Sequence, residues 1–344
     1  MKLFKTYPSI ENSYRDMHLL AVKSFIQLQD RPDKIEWFVT EKIHGANSQF
    51  WCDGKEVLMG KRTAFLSEDD NFYGASRVLA KYKEAVLELF ELVNRSYDSK
   101  VTTMTLYGEL FGGMYPGTPN DNQSKQVQKG VHYCPHNEFM GFDLAVRMGE
   151  DEQATYVNHL IMLTALKTVG IPGIPVLKVG TLNECLEYPN EFSTTIPAMF
   201  ELDELEDNTC EGVVIKPSRS LFLPDGKRAI FKNKNTKFSE REQNPKKKSI
   251  APVNLEPETL EAVNILASYL NENRVIAVIS KFGEPEFKQF GAYLKELNED
   301  ILLDANKDHS SQLAALPKDR MSLVTKSLNK LSSGMVREYL KKNS

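Results

Sequence analysis

The stretch TEKIHGANSQF, residues 40–50, gathers Lys42, His44, Gly45 and Asn47 at one turn. IEWFVTEKI, rich in β-branched and aromatic residues, leads into it, and NSQFWC, with two aromatics, leaves it. Asp53-Gly54 then turns the chain into KEVLMGKR, so residues 35–62 read as an antiparallel set of strands. A lysine is a nucleophile only when neutral, and its amine ordinarily titrates near about 10.4. Burial or neighbouring cations lower that value, and a glycine beside it lets backbone approach a ligand closely. A lone lysine at a turn is more often a solvated surface charge, so the reading depends on what surrounds it.

Working outward, the other strands supply company for Lys42. KRAIFKNKN (227–235) carries Lys232 and Lys234 at period two, on one strand face. Two such cations repel unless an anion lies between them, and a triphosphate would serve. CEGVVIKPS (210–218) places Glu211 at the mouth of a strand, with Val214 as a candidate wall of a flat pocket. VTTMTLYGELFGG (101–113) puts Glu109 near a strand end, and MGKRT puts Arg62 just after a glycine. FMGFDLAV (139–146) offers Phe142, an aromatic able to stack on a base. Each alone has a plainer explanation: a core phenylalanine, a solvated strand edge, half-exposed carboxylates. Their recurrence at strand ends of one region favours a shared site.

Taken in order, EKIHGAN, GKRT, YGELFGG, FMGFDL, EGVVIKP and AIFKNKNTKFSE resemble the covalent nucleotidyltransferases, and within them the RNA ligase 2 group. That group includes phage double-strand RNA-repair ligases and kinetoplastid RNA-editing ligases. The resemblance spans most of residues 1–240 and continues in NRVIAVISKFGE. His44 carries the discrimination, because DNA ligases and messenger-RNA capping enzymes typically have Asp in a KxDG motif. Thr40 departs from the pattern, where a phage relative carries arginine, and this touches only a secondary contact. The resemblance implies an α+β fold: a mixed antiparallel-sheet nucleotidyltransferase, ATP-grasp-like ligase domain followed by a small all-α domain. It also implies the roles. Lys42 would attack the α-phosphate of ATP to form lysyl-AMP. Glu41 and Asn47 would contact the nucleoside, and Phe142 and Val214 would sandwich adenine. Arg62 and Glu109 would hold the ribose and phosphate side. Lys232 and Lys234 would bind phosphates and stabilise transition-state charge. Glu211 would hold Mg²⁺, for which Mn²⁺ may substitute, and His44 would serve the later steps. Arg274 matches an RNA-contacting position.

The rest of the chain sets the frame. It has 344 residues, 41% hydrophobic and 26% charged, with net charge −4: an ordinary globular mix whose basic surface must be local. Residues 76–96 and 158–170 carry helical apolar spacing, the second ending at Gly170. SEREQNPKKKSIAPVNLEPE (239–258) is polar and proline-punctuated, and beyond it the periodicity is helical, with one helix expected over 259–283. The expected domains are 1–243 for adenylyl transfer, a linker over 244–254, and 255–344 for a helical RNA-engaging unit. Residues 226–248 hold nine Lys/Arg against two acids, and 318–344 seven against two, both suited to tracking RNA phosphates. The triplet Lys246–Lys248 fits a phosphate track and a solvated linker equally.

Four cysteines without a CxxC pair argue against a zinc ribbon. HYCPH (132–136) brings His132, Cys134 and His136 close enough for a metal site, but a tetrahedral site needs a fourth ligand, so a polar loop is the favoured of the two readings. The opening residues lack a signal-peptide core and no long apolar run exists, so a soluble, intracellular chain without a membrane partner is expected. A phage or viral source would place it in the host cytoplasm. The partner expected is RNA, as a nicked duplex, with no protein partner and a monomeric enzyme. Two other readings remain in play: a DNA ligase or capping guanylyltransferase, against which KIHG counts, and a catalytically idle binding protein, against which the full reactive set counts.

Overall fold

The computed structural model describes residues 3–119, 122–149, 153–241 and 255–343. It divides into two units, Met1–Lys237 and Phe238–Ser344. This boundary falls before the expected one at 243/244. The reason is local: the Ser239 carbonyl accepts hydrogen bonds from Asn271 and Asn273, which ties residues 239–241 to the second unit. The expected linker, 244–254, lies outside the described residues, as does the lysine triplet.

The first unit runs β1 (Glu11–Asn12), α1 (Asp16–Gln27), β2 (Trp37–Glu41), β3 (Ala46–Cys52), β4 (Val57–Lys61), α2 (Ala75–Ser96), β5 (Thr103–Gly112) and β6 (Asn137–Arg147). It continues through β7 (Thr155–Tyr156), α3 (His159–Thr168), β8 (Val176–Gly180), α4 (Leu182–Leu186), β9 (Gly212–Pro217) and β10 (Phe231–Lys234). One five-stranded sheet has the order β1-β10-β9-β2-β8, the other β4-β3-β5-β6-β7. Among these strands the pairings are antiparallel except β1 with β10.

Side-chain alternation divides the first sheet's work. Trp37, Val39, Val213, Ile215 and Phe231 point to one face and pack with Val22, Ile26, Leu182 and Cys185 of α1 and α4. Each such fully buried apolar side chain contributes roughly 1.5–3 kcal/mol. Thr40, Gly212, Val214, Lys216, Lys232 and Lys234 fall on the opposite face by the same register. The second sheet is covered by α2 and α3, which bury Val78, Tyr82, Val86, Leu89 and Phe90 and Met162 and Leu166 with Phe50, Leu106, Phe139 and Leu144. In β6 the register slips: Tyr107 opposes Asp143 while Gly108 opposes Gly141. Phe142 is the extra residue of that β-bulge, and a bulge re-aims a side chain.

The second unit is helical: α5 (Pro257–Ser268), α6 (Glu272–Ile279), α7 (Phe290–Ala314) and α8 (Lys318–Asn343). The single helix expected over 259–283 is two. Asn271 breaks it, because its side chain accepts from the Arg274 amide at 3.0 Å and caps a new helix. Val263, Leu266, Val278, Tyr293, Leu297 and Leu328 are among the residues of its core. No helix among the described residues is long and apolar enough to cross a membrane.

Candidate active site

Lys42 leaves the end of β2 with its amide still donating to the Gly212 carbonyl at 2.9 Å, so the ladder with β9 aims its side chain. The Nζ lies 2.7 Å from Glu211 Oε2. From β10, Lys234 Nζ reaches Glu211 Oε1 at 2.9 Å, and His44 Nδ1 lies 3.5 Å from Oε2. Glu211 is 2% exposed. Burial pushes its carboxyl up, but the attraction of Lys234 and Lys42 and the His44 hydrogen bond outweigh this and hold it well below the usual range.

Two glycines make this convergence possible. A Cβ on Gly212 (φ +142°) would sit 2.2 Å from the Asn233 carbonyl, so only glycine lets β9 and β10 close beside Glu211. A Cβ on Gly45 would meet the Leu110 carbonyl at 2.3 Å and Glu109 Cγ at 2.8 Å. The turn after Lys42 therefore lies tightly on β5. The His44 amide donates to Tyr133 Oη at 2.8 Å, which fixes the same turn from the other side.

Glu109 faces Asn47 across β3 and β5. Loss of water pushes its carboxyl up to about 7, with Glu211 adding to the rise while Lys42 and Arg62 oppose it. Arg62 also donates to Ser9 Oγ at 3.3 Å. Val214 pairs with both Thr40 and Lys232, which places it between the Lys42 strand and the lysine strand. Lys42, Glu211, Lys234, His44, Glu109 and Arg62 are thus within one electrostatic neighbourhood, as the motif order led one to expect. Phe142 stands on its bulge, half-buried, with its ring 5.0 Å from that of Tyr7.

Two expected residues stand elsewhere. The Glu41 carboxylate accepts from the Thr195 amide and hydroxyl, both at 2.8 Å, and from the Thr194 hydroxyl. Alternation along β2 turns the Glu41 carboxylate away from the Lys42 face and onto Thr194 and Thr195. Arg274 is 2% exposed and bonded to Asp300, to Asp304 at 3.0 Å and to the Glu240 carbonyl. A guanidinium so enclosed braces the helical unit. In the HYCPH loop, Cys134 Sγ lies 3.1 Å from the His136 carbonyl and His136 Nε2 lies 3.4 Å from Glu138.

Sequence reasoning missed Tyr133 and a buried set of Tyr7, Asp143, Lys216 and Arg228. A signal existed for two of these: Lys216 continues the period-two series through Val214, and Asp143 adjoins Phe142. Tyr7 and Arg228 join only through tertiary contact.

A lysine held against a buried glutamate that a second lysine also grips, on a two-sheet scaffold, accords with the covalent nucleotidyltransferase class that the motifs resemble. The sequence pattern of the RNA ligase family matches residues 35–234, and that described as T4 RNA ligase 2 C-terminal matches 253–333. The chain belongs to the RNA ligase family. Mitochondrial RNA-editing ligase 2 of Trypanosoma brucei brucei is 25% identical over 99% of this chain and 93% of its own length. Mitochondrial RNA-editing ligase 1 of the same organism is 29% identical over 54% of this chain and 45% of that protein. A Naegleria gruberi RNA ligase mutant solved with AMP and Mn has a TM-score of 0.44 at 16% identity, covering 69% of this chain and 58% of that one. Family membership makes this chain an RNA ligase, with RNA as its substrate.

Proposed function

We propose that the enzyme seals nicks between a 3′-hydroxyl and a 5′-phosphate in duplex RNA. The contact of Lys42 with Glu211, itself held by Lys234, carries this reading. Lys42 Nζ attacks the α-phosphorus of ATP; the N–P bond forms and the bond to pyrophosphate breaks. The ammonium must first lose a proton to solvent, and Glu211, in contact with it at 2.7 Å, orients the amine. AMP then passes to an RNA 5′-phosphate, and a 3′-hydroxyl attacks that activated phosphate and releases AMP. Lys232 and Lys234 steady the phosphate charge in each step. Phe142 and Val214 bind the base, and Asn47, Arg62 and Glu109 the sugar and phosphate side.

The donor set fits a hard divalent cation. No cluster of three His, Cys, Asp or Glu able to hold a metal occurs among the described residues. Glu211 with phosphate oxygens and water would hold Mg²⁺ in the way that ion prefers. Bound there, it would neutralise phosphate charge. The basic stretch of α8 supports RNA backbone binding, and four buried free cysteines fit a reducing intracellular compartment. The reading includes a monomer acting without a protein partner.

The test is direct. Protein freed of AMP with pyrophosphate is mixed with Mg²⁺ and ATP labelled on its α-phosphate, beside Lys42→Ala, and resolved under denaturing conditions. Label on wild type alone is expected, and its transfer to nicked duplex RNA in preference to single-stranded RNA or nicked DNA. Absence of label from both proteins refutes the enzyme reading; label with GTP in place of ATP points to capping chemistry.

A further inference from the structure

Apart from Glu211, the first unit buries a second ion cluster. Asp143 Oδ2 accepts from Arg228 Nη1 at 2.7 Å and from Tyr7 Oη at 2.8 Å, and Oδ1 lies 3.4 Å from Lys216 Nζ. Arg228 also donates to Ser220 Oγ at 2.8 Å, and its guanidinium lies 3.8 Å from the centre of the Tyr156 ring. None of the three charged side chains is more than 5% exposed. Burial raises the Asp143 carboxyl, yet Arg228 and Lys216 bring it down to about 2. A buried ion set like this is weak evidence for stability, since apolar residues of the same volume often serve folding as well or better.

What the cluster touches is the bulge. Lys216 Nζ donates to the Phe142 carbonyl at 2.6 Å, and Asp143 is the next residue. A bulged residue is left unpaired in its ladder, so its aim must be set by other contacts. The lysine supplies a donor from β9, the strand that also carries Val214. Tyr7 packs its ring edge-on against Phe142 from a segment with further anchors: Phe4 lies edge-on to Phe65, and the Ser13 amide donates to the Lys232 carbonyl at 2.9 Å. One segment thus wedges the aromatic ring and pins the strand of phosphate-binding lysines.

We propose that Tyr7, Asp143, Lys216 and Arg228 are positioning residues that set the height and tilt of the Phe142 ring and thereby the preference for adenine. This rests on the reading of Phe142 as the base platform. The cluster acts on binding of the base and leaves the chemistry at Lys42 alone. Removing the Lys216 donor therefore weakens the base contact as removing the ring does, and the two losses overlap because they act through one surface.

The experiment measures initial self-adenylylation against ATP and GTP concentration for full-length Phe142→Ala, Lys216→Met, Lys216→Arg, Tyr7→Phe and the double variant F142A/K216M, with melting temperatures alongside. Phe142→Ala and Lys216→Met are expected to raise KM for ATP roughly ten-fold, a typical stacking loss, with the saturating rate nearly kept and the ATP over GTP preference reduced. Lys216→Arg should recover most of the loss, and the double variant should be no worse than Phe142→Ala. If Phe142→Ala changes KM but Lys216→Met does not, or if the double variant multiplies the two losses, the positioning role is wrong. An unchanged KM in Phe142→Ala overturns the platform reading itself. Should Lys216→Met fail to fold, Tyr7→Phe, which removes one hydroxyl, must still raise KM a few-fold without lowering the saturating rate; otherwise the inference fails.

Discussion

Glu211 and Arg274 are each 2% exposed and each is held by two side chains of opposite charge, yet one gathers strand ends beside the proposed nucleophile and the other ties helices together. Glu211 draws Lys42, His44 and Lys234 from different strand ends, and Lys232 shares their sheet face. With Glu109 nearby, two acids stand among Lys42, Arg62, Lys232 and Lys234, which leaves positive charge for an anion. Arg274 is gripped by Asp300 and Asp304, both on α7, and by a carbonyl. Asp300 also meets Lys281 at 3.5 Å and Asp304 meets Lys307 at 3.9 Å, so this cluster closes on itself and leaves no surplus charge for a polyanion. Burial of an ion thus says little about function; the sign of the surplus charge and the access to it say more.

The largest break expected is at the nucleophile. Lys42→Ala should abolish the labelled adenylate, while melting changes little because Lys234 still pairs Glu211; a label retained would dismantle the site half of the contrast. Next comes Glu211→Gln, which keeps the shape but cannot neutralise two ammonium groups. Its rate of self-adenylylation should fall on the order of 10²–10³-fold, as for lost electrostatic stabilisation elsewhere.

The brace predicts the opposite signature. Arg274→Ala should destabilise the helical unit by about 1.5–3 kcal/mol in denaturant melts, with self-adenylylation unchanged. The salt dependence of RNA binding should also hold; a slope reduced by about one would restore Arg274 as a phosphate contact.

The smallest effect concerns pH. The Glu109 carboxyl is raised to about 7 in the folded protein against an ordinary 4.5. The folded state holds that proton more tightly, so the stabilisation is full below about 4.5 and is lost as pH rises through about 7. Melting of the nucleotide-free Glu109→Gln variant should therefore show a flatter pH dependence across this window than wild type. Identical curves would mean that Glu109 is as well solvated as a surface acid.

Much of the site was legible because strands project alternate residues to one face. Lys232 and Lys234, Val214 between them and Thr40, and the glycine turn after Lys42 follow from spacing within short segments. The helix over 76–96 was equally plain from its apolar stripe. Other features escaped for a physical reason. The break in the expected helix at 259–283 depends on the Asn271 cap, a side-chain choice that apolar spacing does not record. Helix α1 has only His18, Val22 and Ile26 as its buried stripe, amid exposed Met17 and Leu20.

By itself the sequence determined which charged side chains stand at strand ends and in what order those strands come, because local periodicity and motif spacing are written along the chain. Tertiary structure alone decided where the ions went. Glu41 turned to Thr194 and Thr195, Arg274 to two aspartates, and Tyr7 with Arg228 to the far-off Asp143. Charges pair by distance in space, over contacts that chain separation does not encode.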